Sequence, residues 1–182
     1  MVEIAPGTIL IADPFLKDPN FIRSVIFVCE HQQEGSFGFV INRPYQQTVG
    51  DVLPEFSDCT IPLYYGGPVQ QNTLHYLHRR SDIAGGIEVA EGIYWGGDFE
   101  MIQELLRNGE LNGDNIRFFI GYSGWTEGQL QSEIETKSWI TKNASGELIF
   151  DLDPEAIWPE ALKELGGEYI QMVNYPIDPQ LN

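Results

Sequence analysis

The sequence predicts a single domain of mixed α and β structure, and three observations support that fold class. Short apolar runs of strand length recur along the chain, two segments have the spacing of an amphipathic helix, and no repeat or low-complexity linker divides the chain. A chain of 182 residues with 42% hydrophobic residues can bury about 70% of its unfolded surface in one core. We therefore expect one domain over residues 1–182.

The first part of the chain predicts strands. Three segments rich in Ile, Val and Phe, at 8–12, 24–29 and 37–41, have the length and composition of buried strands. Asp18-Pro19-Asn20 is a turn sequence, because proline fixes φ and the two flanking side chains can bond their own backbone. The polar stretch 32–36 contains a glycine and suits a hairpin loop.

The middle of the chain predicts short strands and one well-defined helix. Thr48 and Asp51 have capping-box spacing for one or two helical turns, and short strands follow at 63–65, 73–77 and 93–95. Asp98 is a suitable N-cap for a helix that Gly109 terminates. The apolar residues of this helix fall on one face: Phe99, Ile102, Leu105 and Leu106.

The remainder of the chain predicts alternating short elements. A buried strand at 117–120 leads through a glycine-rich turn at 121–125 into a helix from 126 to about 136. Two short strands at 139–141 and 148–150 flank a turn. A final helix is predicted at 159–165, because Pro159 suits a helix start, and the tail at 172–182 should run extended.

The charge of the chain disfavours direct binding to nucleic acid. The chain has 27 acidic and 10 basic residues and a formal net charge of −17, so a phosphate backbone would be repelled. The same charge suits a soluble protein without affinity for anionic membranes, although most acidic surfaces are merely solvated. No apolar run reaches the roughly 18 residues that a membrane span needs, and the first eight residues lack a signal-peptide pattern. With only Cys29 and Cys59, which form no C-x-x-C pair, we expect a reducing compartment, the cytoplasm.

The glycine-rich segment at 121–129 resembles a nucleophile elbow but does not match it. Trp125 stands where the second glycine of G-x-S-x-G belongs, and the phosphate-binding motifs G-x-x-x-x-G-K-[ST] and G-x-G-x-x-G are also missing. A helix N-terminus after such a turn can offer N–H groups to an anion. The alternative is that the glycines only permit the turn and Trp125 packs in the core.

Cys29 and His31 are the candidates for a catalytic role. Strand side chains alternate, so both residues should lie on one side of a strand end, where His31 could stabilise a thiolate. Arg23 or Arg43 could add positive charge. The alternative is that Cys29 is a small hydrophobic core residue. His75 and His78 are three residues apart and should face opposite sides of a strand, so we predict neither a metal site nor a cofactor.

Four segments lie in a recognisable order along the chain: DPNFIRSVIFVCEH at 18–31, GFVINRP at 38–44, GGPVQ at 66–70 and GYSGWTEGQLQSEI at 121–134. Together they resemble the AlgH/YqgE family of bacterial proteins, and the closing DPQLN at 178–182 also fits. The resemblance implies an α+β fold in which a mixed, bifurcated β-sheet forms a barrel-like core surrounded by helices. It also implies a poorly characterised function, labelled as transcriptional regulation, with no established cofactor or reaction.

The positions that match the family motifs include most of the polar and glycine residues of those segments. They are Asp18, Pro19, Asn20, Phe21, Arg23, Ser24, Cys29, His31, Asn42, Arg43, Pro44, Gly66, Gly67, Pro68, Gly121, Ser123, Gly124, Trp125, Gly128 and Gln129. The chain departs from the family pattern at 70–73, where it lacks a basic segment before Leu74-His75. Our ligand-binding candidates are Arg23, Ser24, Asn42, Arg43, Gly66, Gly67, Ser123, Gly124, Trp125 and Gln129.

These residues lead to three functional hypotheses. The first is a non-enzymatic regulatory or adaptor protein that binds an unidentified protein or small-molecule ligand, since no complete catalytic set is present. The second is a thiol-dependent enzyme or redox sensor that uses Cys29. The third, a transcriptional regulator that acts directly on DNA, conflicts with the charge. The sequence predicts no membrane partner and no particular oligomeric state.

Overall fold

The computed structural model describes residues 2–177, so the DPQLN segment lies outside the described residues. Ten strands form the sheet: β1 (Ile9–Ala12), β2 (Val25–Gln32), β3 (Gly35–Val40), β4 (Pro44–Thr48), β5 (Pro62–Tyr65), β6 (Val69–His78), β7 (Ile87–Ala90), β8 (Ile93–Trp95), β9 (Ile116–Thr126) and β10 (Trp139–Lys142). Helices in the same part of the chain are α1 (Val49–Val52), α2 (Phe99–Arg107), α3 (Gln129–Glu135), α4 (Gly146–Phe150), α5 (Pro154–Leu165) and α6 (Tyr169–Met172). A 3-10 turn covers Pro54–Phe56. No helix within residues 2–177 is long and apolar enough to cross a membrane.

The sheet is mixed and branches at β9. Its main path runs β10-β1-β2-β3-β9-β6-β8-β7, and every pair along that path is antiparallel. β5 leaves the path to pair with β9 in parallel, and β4 pairs with β5. The α+β class and the mixed, bifurcated sheet that the family resemblance implies are therefore confirmed.

The sheet curls without closing. Within the described residues its end strands β10 and β7 do not pair. The chain just before β1 nevertheless reaches the opposite end of the sheet, because a Cβ atom built on Gly7 would lie 2.8 Å from the Cβ of Ala90 in β7. The description "barrel-like" therefore applies to the curvature of the sheet and not to its hydrogen bonding.

The largest core cluster lies between one face of the sheet and helices α4 and α5. Phe27, Phe39 and Phe119 are fully buried there, and α5 contributes Ile157 and Trp158. Full burial of one such side chain contributes about 1.5–3 kcal/mol. A second cluster packs α3 against the other face of β1–β3, and a third packs α2 near the branch.

The backbone of Gly66 and Gly67 makes the branch possible. Gly66 N donates to Ile120 O (2.9 Å), while Val40 N donates to Gly66 O (2.8 Å). The peptide at Gly66 thus connects β3 with β9 at the point where β5 ends. A Cβ atom on Gly67 would overlap the carbonyl group of Tyr122, and Gly67 has a φ of +153°. Only glycine permits this approach.

Most predicted elements are confirmed, with small shifts at their ends. The strand at 93–95 coincides with β8, and α2 begins after Asp98, whose Oδ1 accepts a hydrogen bond from Glu100 N (2.9 Å). The helical turn at Thr48 is α1, with both halves of its capping box present. Strands β4 and β7 and helix α6 were not predicted, since their residues alternate weakly or occupy only one turn.

Three predictions in the second half of the chain are wrong. Residues 121–126 continue β9 instead of turning, so the helix begins only at Gln129. Residues 148–150 form α4 and not a strand, because Ser145 Oγ accepts from Leu148 N (3.3 Å) and caps a helical turn. Helix α5 begins at Pro154 and includes Pro159, since the burial of its apolar face compensates for one missing hydrogen bond.

The glycine junction predicts a large difference between two alanine substitutions. Gly67→Ala should lower the free energy of unfolding by at least about 3 kcal/mol, because the new Cβ overlaps the Tyr122 backbone and φ is strained. Gly113→Ala is the control, since no atom lies within 4 Å of its Cβ position, and it should change stability by less than about 0.5 kcal/mol. Urea denaturation measures both. Equal effects would show that the junction is not a constraint.

Candidate functional site

A cavity of about 650 Å³ opens at the edge of the main core, where β3, β6, β8 and β9 meet. Side chains and backbone of these strands form its walls, and the turn between β2 and β3 forms its rim. The lining residues are Glu30, Gln32, Glu34, Gly35, Ser36, Phe37, Val69, His75, Trp95, Tyr122, Gly124, Trp125 and Thr126. A volume of this size suits a small-molecule ligand.

Aromatic rings from four different strands form the inner wall. The Phe37 ring lies edge-on to Trp95 with 5.0 Å between centroids and edge-on to Tyr122 at 5.8 Å. The His75 ring lies edge-on to Tyr122 at 6.0 Å, and beneath it the buried Phe39 ring lies 5.1 Å away. The rings of Phe37, His75, Trp95 and Tyr122 line the cavity, and each is partly exposed. The wall is therefore an apolar surface with polarised ring faces.

A β-bulge places acidic residues at the rim. The pairing of β2 with β3 shifts between Val28 and Glu30, so Cys29 is the extra residue. The bulge breaks the alternation of side chains, and Glu30 and Gln32 line the cavity. Glu34 adds a second acidic side chain from the turn. Regular alternation from Phe27 and Cys29 would have placed His31 at this position instead.

The cavity has a negative rim and an uncharged histidine at neutral pH. Burial lowers the pKa of His75, so its ring is neutral there, and Nε2 lies 3.1 Å from Thr73 Oγ1. Within residues 2–177, no lysine or arginine lines the cavity. The acidic side chains Glu30 and Glu34 therefore set the sign of its charge.

The structure brings Arg23, Ser24, Asn42 and Arg43 together, away from the cavity. Asn42 Oδ1 accepts from Val25 N (3.0 Å), and its Nδ2 donates to Arg23 O (2.9 Å). Arg43 donates to the carbonyls of Asn20 and Ile22. Ser24 Oγ donates to Phe21 O (2.8 Å). These motif residues fix the loop between β1 and β2, and a second cavity of about 280 Å³ lies beside Arg23 and Asn42.

Gly66, Gly67 and Ser123 meet at the branch of the sheet. Ser123 is fully buried, and its Oγ donates to Gly66 O (3.1 Å). Gly124, the next residue along β9, is exposed and lines the cavity. The GGP and GYSG motifs therefore form the junction that supports one wall of the cavity.

Trp125 and Gln129 belong to a hydrogen-bonded cluster centred on Glu133. Trp125 Nε1 and Trp139 Nε1 both donate to Glu133 Oε2, at 2.9 and 2.8 Å. Gln129 Nε2 donates to Glu133 Oε1 (3.1 Å). The cluster fastens α3 to β9 and β10, and Trp125 is only 6% exposed. Trp125 therefore packs in the core, as one of the two interpretations of the glycine-rich segment expects, and it also contributes to the lining of the cavity.

Cys29 and His31 do not form the expected pair. Cys29 is 3% exposed within the main core cluster, and burial, with a contribution from Glu30, raises the pKa of its thiol well above the usual range. His31 is exposed, and its Nδ1 lies 2.6 Å from Ser36 Oγ. The prediction that both lie on one side of the strand is wrong, because the bulge at Cys29 breaks the alternation.

Three aromatic residues of the cavity wall, Phe37, Trp95 and Tyr122, were not among the candidates from the sequence. Phe37 lay in a segment assigned to the core, and Trp95 and Tyr122 were considered only as parts of short motifs. One signal was available, because aromatic residues beside glycines recur at Gly38, Gly96 and Gly121. Without the strand order, nothing indicates that these rings face one another.

The burial of Cys29 predicts slow chemical modification. In a Cys59→Ser protein at about pH 8, iodoacetamide should alkylate Cys29 at least about 100-fold more slowly when folded than when unfolded, because the thiol is buried and protonated. A Cys29→Ala protein, which keeps the more exposed Cys59, is the control. Equal rates in the folded and unfolded Cys59→Ser protein would contradict the expectation.

Comparisons with known proteins identify the family. A family model described as AlgH-like matches residues 9–170. A UPF0301 protein of Chlorobaculum tepidum is 42% identical over 180 residues, which is 98% of this chain and 96% of that protein. A UPF0301 protein of Cytophaga hutchinsonii is 43% identical over 181 residues, or 98% and 100% of the two chains. The names of these relatives state no activity.

Two solved structures share the fold. A crystal structure of a protein from Corynebacterium diphtheriae has a TM-score of 0.80 and 24% identity, covering 96% of this chain and 94% of that one, and shows the fold alone. The solution structure of the AlgH protein from Pseudomonas aeruginosa has a TM-score of 0.72 and 28% identity, with coverage of 97% and 98%. With a family model over residues 9–170 and relatives above 40% identity over nearly the full length, this chain belongs to the AlgH-like family.

Proposed function

We propose that this protein is a non-enzymatic binding protein of a regulatory or adaptor kind, and that its ligand enters the aromatic cavity between β3, β6, β8 and β9. The observation that carries the proposal is the wall of partly exposed rings from four strands around about 650 Å³. The core behind the rings and the junction at Gly66 hold this wall in place. A preformed apolar cavity of this kind favours binding.

The polar groups near the cavity support binding rather than catalysis. Ser36 Oγ and His31 Nδ1 are close enough for a nucleophile and its base. However, Ser36 lies opposite Trp125 and His31 on the face of β3 away from Phe37, and although it contributes to the lining of the cavity it is only 9% exposed. Within residues 2–177, no side chain holds the second ring nitrogen of His31. A catalytic set would need that orienting group.

The burial of Cys29 counts against the hypothesis of a thiol-dependent enzyme or redox sensor. A nucleophilic cysteine needs access and a lowered pKa, whereas Cys29 is buried and its pKa is raised. The two cysteines are free thiols, which supports our placement of the protein in the cytoplasm.

The contacts of three arginines support the expectation that this protein does not bind DNA directly. Arg79 pairs with Asp151 (2.7 Å), and Arg80 pairs with Asp82 (2.6 Å). Arg43 donates to backbone carbonyls. Guanidinium groups engaged in this way are not free to form a phosphate-binding patch.

The proposed cavity can be tested by blocking it. A fragment screen by NMR should give ligands that perturb amides of the lining residues, and Gly124→Leu should weaken their binding at least about tenfold. The variant should fold, since a Cβ at Gly124 would make ordinary contacts of 3.5 Å with Tyr122 and 3.8 Å with Val69. Gly113→Leu, at an open surface, is the control. Fragments that bind elsewhere, or whose affinity is unchanged in Gly124→Leu, would overturn the proposal.

We expect no measurable binding to duplex DNA at physiological salt, because the net charge is −17 and the guanidinium groups of Arg43, Arg79 and Arg80 are engaged within the protein. Fluorescence anisotropy with a labelled random-sequence duplex measures this. A saturable signal that falls as salt is added would contradict the expectation and revive the hypothesis of direct regulation.

A further inference from the structure

We infer that the ligand of the aromatic cavity is a small organic cation, an apolar body that carries an ammonium or guanidinium group. This inference rests on the proposed function and adds the chemical class of the ligand. It is carried by the sign of the charge at the rim, the aromatic nature of the wall and the size of the cavity.

The charges that face the cavity are all negative. Glu30 reaches the rim because of the bulge in β2, and Glu34 reaches it from the adjoining turn. Within residues 2–177 no lysine or arginine lines the cavity, and His75 is neutral because burial lowers its pKa. An anionic ligand would meet only repulsion from these side chains, whereas a cation gains attraction from both carboxylates.

The wall is also suited to a cation. The faces of aromatic rings carry negative charge density and attract cations within about 6 Å of the ring centroid. Phe37, Trp95 and Tyr122 provide three such rings, with centroid separations of 5.0 and 5.8 Å around Phe37. The same rings offer apolar contact to the body of the ligand. Acidic residues at the mouth and aromatic rings inside therefore match an amphipathic cation.

The size of the cavity and the pairing of β3 favour a small molecule over an extended peptide. β3 is paired with β2 and β9 on its two edges, so the main chain of a peptide cannot add to this strand. The cavity volume of about 650 Å³ lies in the range that small-molecule ligands fill.

Three probes of similar size but different charge test the inference: 2-phenylethylammonium, 2-phenylethanol and phenylacetate. NMR titration of the full chain should show the cation binding at least about fivefold more tightly than the alcohol, and phenylacetate binding more weakly than both. The double variant Glu30→Gln, Glu34→Gln should lose this preference while its affinity for the alcohol stays unchanged. Glu104→Gln with Glu168→Gln is the control, because it changes the net charge equally at exposed sites outside the cavity.

The outcomes separate this inference from the proposed function. Equal affinities for the three probes in the cavity would overturn the cationic ligand and leave the binding site intact. A preference for the cation that persists in the Glu30, Glu34 variant would also overturn it. Tighter binding of the capped peptide acetyl-Ala-Arg-Ala-amide than of 2-phenylethylammonium would overturn the small-molecule ligand in favour of a protein side chain. No binding of any probe would overturn the inference, and the fragment screen then decides the proposed function independently.

Discussion

The close approach of two backbones at Gly66 and Gly67 is the constraint on which the architecture depends. Without side chains at these positions, the chain crosses β9 at contact distance, and one carbonyl accepts from both Val40 N and Ser123 Oγ. β5 can then pair with the first half of β9 while β3 pairs with its second half. The branch divides the interior into the main core and the cluster under α2.

A second constraint, the bulge at Cys29, determines the chemistry of the cavity. One extra residue in β2 keeps the cysteine in the core and brings Glu30 to the rim, while His31 pairs with Ser36. Regular alternation would place His31 of the sequence VCEH at the cavity, whereas the bulge places Glu30 there. A local irregularity of the strand decides which of two adjacent polar residues faces the cavity.

Elements that are determined by interactions between residues close in sequence could be predicted, whereas elements that are determined by contacts with distant parts of the chain could not. Helix α2 could be predicted because its cap at Asp98 and its apolar face are local features. The segment Leu148–Phe150 could not, since a short apolar run fits a strand or a helix, and burial of all three side chains selects the helix.

The same distinction applies to the candidate sites. The family motifs marked residues that stabilise the framework, such as Asn42 and Ser123, because such positions have strict local requirements. The cavity wall depends on which strands are neighbours, and that order is fixed by contacts between distant parts of the chain. Of the ligand-binding candidates, Gly124 and Trp125 are among the residues that line the cavity. The aromatic side chains opposite them could be recognised only in the folded sheet.

The position of Trp95 gives the cavity an optical reporter. The indoles of Trp125 and Trp139 donate to Glu133, and that of Trp158 donates to Ala12 O, so these three buried fluorophores are held by internal bonds. Trp95 differs from them, because its ring belongs to the aromatic wall and is partly in contact with solvent. Occupancy of the cavity would change the emission of Trp95 and, to a smaller extent, that of the more deeply buried Trp125, which also lines it, so intrinsic fluorescence can follow binding without a label.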